Sequence, residues 1–356
     1  MLSTRLLAIT TAAVRRSALL QRHNPSTLIT PLAGSTVPIR YMHRSQPAAN
    51  HGDSLTDPDA DAEGFDFHRI GLVGGGKMSE AIIEGFLKEQ LIKPERISVF
   101  DVNRARLEFL KKEFGVGTSS SVAATCKNAD LVIIAVKPQN LSDKLWAQLK
   151  EHLSPQSVLL SIVAGMTMSN FSENTGNTRI VRTMPNTPAT IQQGMTVWAC
   201  SDDVSLSQRN SVAKFLSSLG EQHFVQNELY LDMATAVSGS GPGYVMLILE
   251  ALVDAAVHLG FSRDIASKLV LQTVYGTTAL AMKSGLHPAI LRNSVTSPGG
   301  TTASALYVLE QGRFRTVLAD ALWSAYRRSL ELGHMDSNVG PGRAKHEPHE
   351  MDGHKK

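Results

Sequence analysis

The run IGLVGGGKMSEAI, residues 70–82, constrains this chain more than any other stretch. A short apolar segment passes straight into Gly74-x-Gly76-x-x-Ser79, and residues 81–87 then repeat apolar side chains at helical spacing. Strand, glycine turn and helix in that order open a dinucleotide-binding unit. Gly74 permits a tight turn, Gly76 lets backbone approach a pyrophosphate, and the helix start offers free N–H groups and a positive dipole. Ser79 stands where a third small residue allows close helix packing. An ordinary glycine turn would read the same way, so the following chain has to decide.

Residues 97–100 form a second apolar strand ending at Asp101, at about the spacing where an acidic residue meets the adenosine ribose. A third strand, 131–136, stops at Lys137-Pro138, and a fourth, 158–163, ends at Ala164-Gly165. Strands alternating with helical stretches predict an α/β fold with a Rossmann-type, doubly wound parallel sheet whose ligands lie at the strands' carboxyl ends. Asp101 would accept a ribose 2′-OH and repel a 2′-phosphate, whereas Asn103 and Arg104 just beyond could bind that phosphate. NADH and NADPH both stay open. If Asp101 discriminates between them, Asp101→Ser should gain on NADPH.

A length of 356 residues predicts about two domains. A net charge of +3 argues for neither a nucleic-acid groove nor a basic membrane face. Cys126 and Cys200 are too few and too far apart for a disulfide framework or metal cluster. No uninterrupted apolar run reaches roughly 18 residues, so no membrane span is expected. Residues 1–52 lack Asp and Glu, carry Arg5, Arg15, Arg16, Arg22, Arg40 and Arg44, and are rich in Ser and Thr. That composition predicts a mitochondrial targeting segment, with a cytoplasmic protein as the alternative. Residues 53–66 read as an acidic linker, 67–227 as the dinucleotide-binding domain, 228–335 as a helical domain and 336–356 as a disordered tail. In that tail HEPHE has Glu350 where a zinc-protease motif needs a second His, and Pro348 would break its helix, so no metal site is assigned.

From Glu228 onward the pattern turns helical. Ser238-Gly239-Ser240-Gly241-Pro242 interrupts one helix, with Pro242 suited to the first turn of the next. Residues 262–282 and 313–332 read as two further helices. So much apolar surface in about a hundred residues predicts an all-α dimerisation domain that completes its core against a second copy. Within it lies VTSPGGTTASAL, residues 295–306. Gly299 and Gly300 clear the approach, and the amides of Thr301 and Thr302 at a helix start would receive a small carboxylate. A plain threonine cap is the other reading of that turn.

GLVGGGKMSEAI, AVKP at 135–138, VRTMPNTPA at 181–189, SGSGPGY at 238–244 and HP…VTSPGGTT at 287–302 together resemble pyrroline-5-carboxylate reductase, in that family's order and over about residues 70–332. The resemblance implies reduction of 1-pyrroline-5-carboxylate to proline by NADH or NADPH, in a homo-oligomer of dimers joined into a ring with active sites shared between subunits. It places Val73, Gly74, Gly75, Gly76, Lys77 and Met78 on the pyrophosphate, and Ala135, Val136, Lys137, Pro138, Val163, Ala164 and Gly165 on the ribose and nicotinamide side. It puts Glu228, Thr301 and Thr302 on the substrate; the turn of Gly299 and Gly300 is then expected to fix the carboxylate, the Thr302 hydroxyl to hydrogen-bond the ring nitrogen as the catalytic group, and Glu228 to favour the iminium charge. Gly243 and Asp101 depart from common family patterns, the second bearing on cofactor preference. A 6-phosphogluconate or β-hydroxyacid dehydrogenase shares the two-domain plan, but Lys268 and Lys283 lack an Asn four residues later. A non-catalytic dinucleotide-binding protein is the reading from another class.

Overall fold

The computed structural model describes residues 64–343. The targeting segment, most of the linker and the HEPHE tail lie outside them. The first half alternates β1 (Ile70–Val73), α1 (Lys77–Lys88), β2 (Ile97–Phe100), α2 (Arg104–Phe114), β3 (Gly117–Ser119), α3 (Val122–Cys126), β4 (Leu131–Ile134), α4 (Asp143–His152), β5 (Val158–Ser161) and α5 (Met168–Thr175). It closes with β6 (Ile180–Met184), β7 (Gly194–Cys200), α6 (Leu206–Ser217) and β8 (Gly220–Phe224).

These strands make one sheet in the order β3-β2-β1-β4-β5-β6-β7-β8, and the chain reverses its winding direction between β1 and β4. Every residue of β1, β4 and β5 is buried. That is why those strands read as continuous apolar runs rather than alternating ones: helices cover both faces. On one face Ile82, Phe86, Phe215 and Leu216 of α1 and α6 fill the core, with Phe86 and Phe215 stacked at 4.1 Å between ring centroids. On the other, Val122, Leu145, Leu149 and Phe171 of α3, α4 and α5 pack on Val132 and Ile134.

Two features depart from the expected sheet. β7 runs antiparallel to β6, so the sheet is parallel except at that pair. Phe65, only 4% exposed, joins Phe67 in the core, and Asp66 N–H donates to Ser211 Oγ at 2.9 Å. The linker therefore ends before Phe65, not at Asp66.

The second half is helical: α7 (Leu229–Ala234), α8 (Gly241–His258), α9 (Arg263–Ser284), α10 (Pro288–Ser294), α11 (Thr301–Gln311) and α12 (Phe314–Leu332). The SGSGP stretch does not break the helix. Residues Thr235–Gly239 form a π-turn, and the helical span continues from Leu229 to His258. An 18-residue window of it has a mean hydropathy of 1.4, so by length and composition alone it is long and apolar enough to cross a membrane. Counting uninterrupted apolar runs does not register it, because Asp232, Glu250 and Asp254 interrupt the sequence.

Only Val253 of α8 and only Ala266 of α9 are buried, while Leu247 is 65% and Tyr275 71% exposed. Helices apolar on most sides need a covering partner. The chain beyond α12 is not wholly loose: Arg327 Nε donates to Val339 O at 2.9 Å and its Nη2 to Pro341 O at 3.1 Å, holding the first part of the expected disordered tail against α12.

Candidate active site

Four loops leave the carboxyl ends of neighbouring strands: residues 74–76 after β1, 101–103 after β2, 135–138 after β4 and 162–167 after β5. All the expected dinucleotide contacts therefore lie along one edge of the sheet, at its switch point.

The glycine loop is built for close approach. Gly74 has φ +107, and a Cβ there would lie 2.6 Å from Ala135 O, so a side chain would push the loops after β1 and β4 apart. Gly76 is the N-cap of α1 with no side-chain cap, and a Cβ on it would meet nothing within 4 Å. The first-turn N–H groups of α1 thus have open space before them, the cradle a pyrophosphate needs. Ser79 Oγ donates to Gly74 O at 2.6 Å, which gives this third small position a hydrogen bond as well as a packing role.

Asp101 is tied into this loop. Its Oδ2 accepts Gly75 N–H at 2.6 Å and its Oδ1 accepts Asn103 N–H at 2.7 Å. Asn103 caps α2 through Ala105 N–H at 3.0 Å, and the Arg104 side chain at the start of that helix is exposed. Arg106, which the sequence reading passed over, holds the loop from the other side. Its Nε donates to Gly75 O at 2.8 Å and its Nη2 pairs with Glu80 at 2.9 Å. Lys77 joins the same carboxylate at 3.1 Å. Burial opposes ionisation of Glu80, but the hydrogen bonds from Arg106 and Lys77 outweigh it and hold the carboxyl below its ordinary value.

After β4, Ala135 N–H donates to Val73 O at 2.8 Å and Lys137 is exposed beside Pro138. After β5, Val163 is buried, and Gly165 has φ +79 where the end of α12 arrives: a Cβ there would lie 2.7 Å from Leu332 Cβ.

The turn before α11 takes a different form from a threonine cap. Its N-cap is Gly300, with no side-chain cap, and Thr301 and Thr302 are the first two residues of the helix. Ser304 N–H is the first to bond back, to Gly300 O at 3.2 Å, which leaves the three preceding amides without intrahelical acceptors. Gly299 has φ +68 and open space around it; a Cβ on Gly300 would strike Ser297 Oγ. Among the described residues every hydrogen bond of 295–302 is local. One chain does not bond this turn to the dinucleotide edge.

Glu228 opens the helical half at the N-cap of α7. Its Oε2 accepts Met168 N–H at 3.0 Å and pairs with Arg182 at 3.1 Å, while the side chain keeps 20% of its surface exposed. Arg182, 2% exposed in β6, also pairs with the fully buried Asp232 at 2.9 Å, which accepts Ser329 Oγ at 2.7 Å. Asn186 makes a further tie, donating to Ser238 O at 3.1 Å and accepting Met195 N–H at 2.9 Å. An Arg in an apolar strand and an Asp in an apolar helix were the available signals, since such residues are buried only when paired.

A doubly wound sheet with a glycine cradle at its switch point, joined to an apolar helical half, defines a dinucleotide-dependent oxidoreductase. The family described as pyrroline-5-carboxylate reductase dimerisation matches residues 228–332, and the one described as NADP oxidoreductase coenzyme F420-dependent matches 69–165. A pyrroline-5-carboxylate reductase of Synechocystis is 40% identical over 74% of this chain and 98% of its own length. One from Arabidopsis thaliana is 35% identical over 76% and 96%. A solved Plasmodium falciparum pyrroline carboxylate reductase with NADP bound superposes with a TM-score of 0.69 at 31% identity, over 75% of this chain and 98% of that one. The chain belongs to the pyrroline-5-carboxylate reductase family, which sets aside the 6-phosphogluconate dehydrogenase reading. The exposed apolar helices lie within the residues that match the dimerisation family, and the protein is an oligomer.

Proposed function

We propose that this protein reduces 1-pyrroline-5-carboxylate to L-proline, using NADH or NADPH. When bound, the dinucleotide supplies the hydride. Residues 73–78 hold its pyrophosphate, Asp101, Asn103 and Arg104 meet its adenosine ribose, and 135–138 with 163–165 line its nicotinamide side. The observation that carries the substrate half is Gly300: a helix start capped by a residue with no side chain, ahead of amides that lack acceptors. A carboxylate suits those amides at Thr301 and Thr302 in charge and size.

A cyclic imine titrates near neutrality and brings its own proton, so no strong side-chain acid is needed. The Thr302 hydroxyl accepts the N–H of the protonated ring and orients its carbon, and rate enhancement comes from positioning and electrostatics. Because 295–302 bonds only locally, the turn of one subunit serves the dinucleotide edge of a second. Dimers assemble further into a ring. The composition of residues 1–52 supports a mitochondrial matrix location. Mixing purified protein with pyrroline-5-carboxylate and either dinucleotide, while following the nicotinamide absorbance, tests the reaction; no oxidation of either one refutes it and favours a non-catalytic dinucleotide-binding protein.

A further inference from the structure

The segment 163–168 leaves the carboxyl end of β5 and is gripped at both ends by the helical half. At Gly165 the end of α12 comes so near that a Cβ would lie 2.9 Å from Ser329 O as well as against Leu332. At Met168, the first residue of α5, the N–H goes to Glu228 at 3.0 Å. That helix does not need the carboxylate for its cap. Thr167 already caps it in a reciprocal box, accepting Asn170 N–H at 3.1 Å while Asn170 Oδ1 accepts Thr167 N–H at 3.2 Å. Glu228 is therefore an added restraint, and one that reaches across from the helical half.

Behind it stands a buried circuit. Arg182 takes Glu228 and Asp232, both carried by the α7 segment, and Asp232 takes Ser329 on α12. The two elements that grip the segment at opposite ends are thereby joined through one guanidinium. Buried ion pairs add little net stability over apolar residues of equal volume, and their better-attested use is to fix one arrangement among several.

We propose that Glu228, backed by Arg182, Asp232 and Ser329, is a positioning residue for the dinucleotide: it sets residues 163–168 against the nicotinamide end from the dimerisation half. The inference rests on the proposed placing of 163–165 at the cofactor. It makes dinucleotide affinity depend on how α7 and α12 are seated, and so on the segment that matches the dimerisation family.

The test uses the full chain with Glu228→Ala, Glu228→Gln and Ser329→Ala. Dissociation constants for NADPH and NADH are measured by nicotinamide fluorescence, and KM values for both substrates by steady-state rates. Light scattering follows the oligomer. Glu228→Ala should raise the Kd for dinucleotide about tenfold, a coupling of ordinary size, with the oligomer intact. Glu228→Gln should recover most of the loss, because its amide oxygen still accepts Met168 N–H. Ser329→Ala, which removes one hydroxyl, carries the test with a smaller rise if Glu228→Ala does not fold. Lower melting temperatures with unchanged dinucleotide affinity in all three would overturn the proposal. Hydrogen exchange in residues 163–170 of the wild type separates the two layers. Protection by NADPH supports the cofactor placing on its own, and absence of protection overturns both that placing and the proposal.

Discussion

Replacing Asp101 by serine should weaken both dinucleotides, NADH more than NADPH. The sequence alone led to a gain on NADPH, since removing a carboxylate removes repulsion of a 2′-phosphate. The structure adds an opposing effect. Asp101 Oδ2 holds Gly75 N–H at 2.6 Å, and a serine hydroxyl, one atom nearer the backbone, keeps only the bond to Asn103 N–H, now 2.7 Å. A hydrogen bond to a charged acceptor is worth about 1.5–3 kcal/mol, so loosening the glycine loop should cost either dinucleotide about tenfold to a hundredfold in kcat/KM. NADPH recovers part of this. Asp101 is half-buried, so the relieved repulsion is screened and returns about 1 kcal/mol, roughly fivefold. Steady-state kcat/KM for NADH and NADPH at fixed imine gives both quantities. Arg104→Ala in parallel should lower NADPH selectively. An unchanged NADPH/NADH ratio would leave Asp101 as a strut only, while NADPH activity above wild type would show that the bond to Gly75 does not matter; either result refutes the reasoning.

Thr302→Ala should lower kcat/KM by about tenfold or more, the worth of one hydrogen bond to a charged group, and unchanged kinetics would remove the hydroxyl from the mechanism. Leu247→Asp with Tyr275→Asp, at positions 65% and 71% exposed in one chain, should yield monomers by light scattering and abolish turnover. Activity in a monomer would refute a site shared between copies. Burial pushes the Cys126 thiol from 9.0 up to about 12. A folded pKa above the unfolded one means the native state keeps a proton that the unfolded state releases. This contribution is fully present below pH about 9 and is lost between about 9 and 12, by about 1.4 kcal/mol per pH unit. Cys126→Ala should flatten that part of the stability curve in urea titrations, and an identical slope would contradict the burial argument.

What the sequence discloses depends on whether a residue's neighbours are close along the chain. GLVGGGKMSEAI is legible because strand, turn and helix are adjacent, and its glycines do in space what their spacing implies. β8, GEQHF, has no apolar alternation because it lies at the sheet edge, and only pairing with β7 makes it a strand. Arg104 and Arg106 are two residues apart with nothing to distinguish them in sequence, yet one is exposed and the other grips Gly75. Glu228 was legible as a carboxylate at a helix start; its partners lie 46 and 60 residues away, and no local pattern reports them. The turn before α11 is the sharpest case. Its glycines and threonines were readable as an anion-sized helix start, and Gly300 as cap removes the plainer threonine-cap reading. What faces that turn could not be read from any spacing, because within one chain its hydrogen bonds close on themselves. In the proposed site the two ligand turns share no bond within the subunit that carries both, so assembly would complete it, and the exposed apolar helices and the open turn before α11 would answer the same requirement.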